Sequence, residues 1–216
     1  MSLRIDRPDE HWARELVCSK TGVTAPLDEP AFLSPAGAPW LVRYDLDRER
    51  GADFRRRLLV RPWTLWRYRE LLPVEDYRGR IDLGEGGTPL VLMRRAKPDG
   101  VRVFLKEESF NPTGSFKARG LSLAVNRARE LGAPGVELPS AGNAGLALAA
   151  FAAAAGLPCR VAVPEDTPQV ISDRCRQMGA TVLTSPGTLV DAASRLAEFD
   201  DGFFNLSTLK EPYRVE

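Results

Sequence analysis

Residues 106–120 read Lys-Glu-Glu-Ser-Phe-Asn-Pro-Thr-Gly-Ser-Phe-Lys-Ala-Arg-Gly. The run at 101–105 ahead of them has a strand-like apolar pattern, and residues 122–131 behind them have a helical one. Between the two, Asn111-Pro112-Thr113-Gly114 gathers turn residues, and Ser115 is a good helix N-cap. Lys117 is therefore expected on the first turn of a helix that follows a strand. A helix start favours anions over cations, and shielding by Phe104 and Phe116 would disfavour the charged amine further. A neutral amine can attack an aldehyde and form a Schiff base. Taken alone, Lys117 also reads as a solvent-facing lysine on an amphipathic helix.

The elements that must position this lysine follow it in a regular alternation. Strands are expected at 136–138, 160–163, 181–184 and 203–206. Helices are expected at 143–155, with Gly156 as a stop, at 168–178 and at 189–199. This pattern predicts an α/β fold, a parallel sheet layered with helices. Ligands of such sheets bind beyond the carboxyl ends of the strands. Ser140-Ala141-Gly142-Asn143-Ala144-Gly145 stands at such an end, directly before a helix. Gly142 lets the chain turn, and the N–H groups that follow make a ready anion site. The same residues also read as a plain strand-to-helix loop. The separation of 143 − 117 = 26 residues leaves room for one helix and one strand, so both groups can converge on one ligand.

Asn-Pro-Thr-Gly-Ser-Phe-Lys-x-Arg-Gly resembles the cofactor-lysine segment of the fold-type II pyridoxal-phosphate enzymes, and most of all that of threonine synthase. The resemblance implies pyridoxal 5'-phosphate as cofactor, Lys117 as its Schiff-base lysine and Phe116 packed near the ring. It extends to Gly84-Glu85-Gly86-Gly87-Thr88-Pro89-Leu90, which is expected to border the active site without a chemical role. It also covers the Ser-x-Gly-Asn loop. There Asn143 would bond the cofactor's 3-hydroxyl, and Ser140, Ala141, Gly142 and Ala144 would hold the substrate carboxylate. Near the end, Glu211-Pro212-Tyr213-Arg214-Val215-Glu216 is similar to a segment beside the substrate phosphate, with Arg214 as the phosphate ligand. An arginine suits that task because its planar donors bind bidentately. The family pattern has Asn where this chain has Glu211.

Composition narrows the rest. The chain has 216 residues, 44% hydrophobic and 27% charged, with a formal net charge of +1. Nothing in that balance calls for nucleic acid or an acidic membrane. Trp63, Trp66 and Tyr68 interleave with basic residues but are expected to pack internally. A strand is expected at 41–45 and a solvated helix face at 48–57. Residues 1–80 read as a leading segment and 81–216 as the first part of a pyridoxal-phosphate-dependent catalytic domain. Cys18, Cys159 and Cys175 show no disulfide or metal spacing, which suits a reducing cytoplasm. With Cys18 alone in the leading segment, a zinc ribbon lacks ligands. The lone His11 stands outside every motif. The first ten residues carry no signal-peptide core, and the apolar run at 144–155 is too short to span a bilayer.

The resemblance implies a lyase that converts O-phospho-L-homoserine and water to L-threonine and phosphate, with a small amino-acid substrate and a homodimer left open. A related lyase, such as a threonine or serine dehydratase or a diaminopropionate ammonia-lyase, would share Lys117 and Asn143 but need no phosphate arginine. A non-catalytic α/β binding domain is the alternative from another class. Family members continue well past the last motif, into a Gly-rich loop that cradles the cofactor phosphate. The chain therefore reads as an N-terminal portion, expected to be inactive by itself and to hold the cofactor weakly.

Overall fold

A computed structural model of the chain describes residues 11–28, 32–48, 52–95, 97–208 and 210–214. The leading segment contributes a three-stranded antiparallel sheet in the order β2–β1–β3, from Ala13–Cys18 (β1), Thr24–Ala25 (β2) and Trp40–Tyr44 (β3). A turn at Cys18–Gly22 closes through Gly22 N to the Cys18 carbonyl at 3.0 Å. Helix α1 spans Ala52–Val60. It is shifted toward the C-terminus of the expected charged face, whose positions 49–51 lie outside the described residues.

A short helical turn, Leu65–Leu71, buries Trp66, Arg67 and Glu70. Trp63 and Tyr68 do not pack in the core as expected. Trp63 is 67% exposed, and Arg67 stacks on its ring at 3.7 Å. The reason is geometric, since this turn presents only one side to the core. The basic residues here lie on aromatic faces within the fold: Arg80 is 4.1 Å from the Tyr77 ring and Arg69 4.8 Å from it.

Two antiparallel strands, Leu90–Leu92 (β4) and Phe104–Lys106 (β5), lead to helix α2, Lys117–Glu130. After it the alternation holds as expected. Val136–Pro139 (β6), Asn143–Ala155 (α3), Cys159–Pro164 (β7), Gln169–Gln177 (α4), Thr181–Ser185 (β8), Leu189–Leu196 (α5) and Phe204–Asn205 (β9) follow in turn. The four strands form one parallel sheet in the order β8–β7–β6–β9.

Strand β7 is buried along its whole length, as a central parallel strand should be. Its side chains alternate between two cores. Val161 and Val163 join the large one with α2 and α3, and Ala162 meets Ala192 and Leu196 of α5. Helices therefore cover both faces. Helix α3 is apolar nearly all round and correspondingly buried, and it ends at Gly156 in the left-handed region (φ 67°). Helix α5 begins with a reciprocal capping box. The Thr188 hydroxyl accepts from Val190 N at 3.2 Å, and the Asp191 carboxylate accepts from Thr188 N at 2.6 Å. Buried side chains of the leading segment, including Leu16, Trp40 and Trp66, belong to the same core as α2 and α3.

Candidate active site

Two tight turns, Glu108–Phe110 and Pro112–Gly114, connect β5 to α2. Thr113 adopts φ 62° and Gly114 φ 74°. Ser115 is extended, and its Oγ accepts from Lys117 N at 3.3 Å while its carbonyl accepts from Ala118 N at 3.3 Å. Phe116 already has helical angles. Ser115 thus caps the helix as expected, and Lys117 lies on its first turn. Lys117 is half-buried, with Nζ 4.5 Å from the Phe116 ring centroid. The expected apolar shield is not built. Phe116 is 55% exposed, and Phe104, on a strand whose side chains are all open, is 47% exposed. A ring face under the nitrogen also attracts an ammonium.

What holds this turn is a carboxylate to which the sequence reading gave no role. Glu108 takes a two-pronged bond from Arg119, Nε to Oε2 at 2.7 Å and Nη2 to Oε1 at 2.8 Å. It also accepts from Thr88 Oγ1 at 2.7 Å and Asn111 Nδ2 at 2.8 Å. The Arg119 guanidinium is the main cause that pulls the Glu108 carboxyl down to about 2. Asn111 Oδ1 accepts from Gly86 N at 2.9 Å, so the glycine-rich motif is bound to the lysine turn.

Gly86 and Gly87 of that motif meet other backbone. A Cβ on Gly86 would stand 2.3 Å from Leu65 N, and one on Gly87 1.8 Å from the Trp63 carbonyl. Glu85, directly before them, is fully buried and accepts from Trp66 Nε1 at 2.7 Å, Leu83 N at 2.9 Å and the Ser122 hydroxyl. Burial pushes its carboxyl above the usual range, against those hydrogen bonds.

In the Ser-Ala-Gly-Asn loop, Ser140 is buried and its hydroxyl turns inward. It accepts from Gly142 N at 3.2 Å and Gly145 N at 3.1 Å. Ser140 therefore shapes the bend. The amides of Asn143 and Ala144 at the start of α3 have no partner among the described residues, and the Asn143 side chain is exposed. Ala141 is exposed and Gly142 half-buried beside them.

Arg214 lies at the far end of the described chain. Its Nη1 donates to the Leu206 carbonyl at 2.7 Å, and burial lowers the guanidinium from its ordinary value. Glu211 accepts from Tyr213 N at 2.8 Å and Arg214 N at 2.9 Å. The residue that departs from the family pattern thus builds the turn that carries Arg214. Val215 and Glu216 of that motif lie outside the described residues.

Packing links the elements that carry these pieces. The Pro112–Gly114 turn rests on α3, α2 packs along α3, and Arg214 presses on Gly120, one turn past Lys117. The groups presented are an amine, two open helix-start amides and an asparagine side chain. That set fits an aldehyde that also carries anionic groups. Arg119, Glu108, Thr88 and Asn111 escaped the sequence reading. The only signal was that all four fall inside the two motifs.

The family model described as "Pyridoxal-phosphate dependent enzyme" matches residues 81–216. The threonine synthase of Methanocaldococcus jannaschii is 34% identical over 205 residues, 92% of this chain and 50% of that protein. The threonine synthase of Halalkalibacterium halodurans is 38% identical over 159 residues, 70% of this chain and 44% of that protein. This chain thus spans about half the length of these curated relatives. A solved structure of O-acetyl serine sulfhydrylase isoform 3 from Entamoeba histolytica shares the fold, with a TM-score of 0.51 at 23% identity over 56% of this chain and 40% of that one. A hydrogen sulfide-producing enzyme from Fusobacterium nucleatum shares it equally, with a TM-score of 0.51 at 23% identity over 56% of this chain and 42% of that one. With its fold-type II architecture and its lysine turn, the chain belongs to the pyridoxal-phosphate dependent enzyme family.

Proposed function

We propose that this chain supplies the lysine and the carboxylate loop of a carbon–oxygen lyase of the threonine synthase kind, acting on O-phospho-L-homoserine and water. The observation that carries the proposal is the placement of Lys117 on the first turn of α2, on a turn clamped by Glu108 and Arg119. Pyridoxal phosphate, when bound, supplies the electron sink for carbanion chemistry. Lys117 holds the cofactor and then moves protons at the substrate's α- and β-carbons as base and acid. Asn143 orients the ring and Phe116 packs near it. The open amides of Asn143 and Ala144 take the substrate carboxylate, with Ser140, Ala141 and Gly142 setting the bend. Arg214, whose guanidinium keeps donors beyond the one given to Leu206, takes the leaving phosphate. The family match that begins at residue 81 supports a boundary near residue 80. The unpaired cysteines suit a cytoplasmic setting. Among the described residues no helix is long and apolar enough to cross a membrane.

The test uses the chain's five lysines, Lys20, Lys97, Lys106, Lys117 and Lys210. Pyridoxal phosphate is added, adducts are trapped with borohydride, and peptides are mapped. The label should fall on Lys117. A label spread over the five according to exposure would overturn the assignment. In a protein that carries the whole catalytic domain, phosphate release from O-phosphohomoserine, set beside 2-oxobutyrate release from threonine, separates this lyase from a dehydratase.

A further inference from the structure

Thr113 is the only residue other than glycine with a positive φ among the described residues (φ 62°). A β-branched side chain in that region carries a strain on the order of 1–3 kcal/mol. Glycine would adopt it freely, and Gly114 follows directly with φ 74°. What threonine adds is its hydroxyl and methyl. Thr113 lines a cavity of about 320 Å³, bounded also by Gly114 of the turn, Leu146 of α3, and Arg174, Gln177 and Met178 at the end of α4.

The lining is amphipathic in a directed way. Leu146 is buried and Met178 half-buried, so one side is apolar. Arg174 and Gln177 are exposed, and their side chains have no hydrogen-bond partner among the described residues. The Thr113 hydroxyl gives its proton to the Pro112 carbonyl at 2.6 Å, which leaves its lone pairs to accept. A free guanidinium calls for a carboxylate. The hydroxyl oxygen is an acceptor that an ammonium can use. The volume is at the lower end for small-molecule sites.

We propose that this cavity is a second small-molecule site, which takes an α-amino acid with a short aliphatic side chain. Arg174 and Gln177 bind the carboxylate, Thr113 accepts from the ammonium, and Leu146 and Met178 cover the aliphatic part. No residue assigned to the cofactor or substrate lines the cavity, so the proposal does not rest on the role given to Lys117.

The probe is L-leucine, titrated calorimetrically into the whole chain, with 4-methylvalerate and 3-methylbutylamine as analogues lacking the amine and the carboxylate. L-leucine should bind more tightly than either analogue. Arg174→Gln should weaken it by about tenfold or more, the loss of one charge-assisted contact. Thr113→Gly should weaken it several-fold while raising the melting temperature, which also shows that the fold survives. Arg176→Gln, on the same helix but outside the cavity, and Lys117→Ala should leave it unchanged. Absence of binding at millimolar leucine, or binding indifferent to Arg174→Gln, overturns the proposal. Loss of binding in Lys117→Ala also overturns it, because that places the amino acid at the lysine.

Discussion

Gly120 lies directly against Arg214. A Cβ built on Gly120 would sit 2.4 Å from the Arg214 carbonyl oxygen and 3.0 Å from its Cγ. In an ordinary helix interior, Gly→Ala stabilises by up to about 1 kcal/mol. Here the first atom in the way is backbone, which cannot swing aside. Overpacking of this kind costs about 1–3 kcal/mol. Gly120→Ala should therefore lower the urea midpoint and loosen the turn at residues 211–214. A raised midpoint would mean that the contact is not kept in solution.

Glu108 and Glu85 should give opposite pH signatures. The folded-state value of Glu108 is depressed to about 2, chiefly by Arg119. Its contribution is present above the unfolded carboxylate value of about 4.3 and is lost as pH falls through about 2. Glu85 is raised by burial. Its contribution is fully present below about 4.3 and is lost as pH rises through the raised value. Glu108→Gln should cost about 1–3 kcal/mol at neutral pH, and the gap to the parent should close between about pH 4 and 2. Urea titrations at stepped pH read this directly. A gap constant down to pH 2 would separate the clamp from stability.

The layered α/β region was readable because each of its elements states itself locally. The bounds of α3 at Asn143 and Ala155 follow from an apolar run between a loop and Gly156, whereas α5 starts at Leu189 as expected but stops at Leu196, short of 199. The Glu108 clamp was not readable in this way. Thr88 and Arg119 lie 20 positions before and 11 positions after the carboxylate they share, and no periodicity joins them. Trp63 and Trp66 show the same limit. They are alike in sequence, yet one is exposed and the other is sealed by its bond to Glu85.

The three cysteines should separate in reactivity. Hydrogen bonds with Ser34 and Thr21 bring the Cys18 thiol down to about 6. Cys18 is only 2% exposed and lies beside the exposed Lys20-Thr21-Gly22 turn, and those bonds outweigh its desolvation. Burial drives Cys159 up to about 12 and Cys175 to about 11. Alkylation near neutral pH should modify Cys18 first and reach the other two only with global unfolding. Ser34→Ala should slow the Cys18 reaction at pH 7 by raising its thiol. Equal rates at all three sites would mean that unfolding, not thiolate chemistry, controls access.

Ser140 tests how the Ser-Ala-Gly-Asn loop is held. Its hydroxyl accepts two amides, Gly142 N and Gly145 N, and Gly145 is buried against Val161. Ser140→Ala leaves the Gly145 amide with neither its cap nor water, so a loss of about 1–3 kcal/mol is expected. Hydrogen exchange localises the effect. Amides 142 and 145 should exchange faster, while those of α3 beyond Leu146, which stay paired within the helix, should keep their rates. Faster exchange along the whole of α3 would show that the serine supports the helix at large. Unchanged exchange at 142 and 145 would show that the bend is set by packing, and the open amides of Asn143 and Ala144 would then owe their geometry to Gly142 and the sheet below.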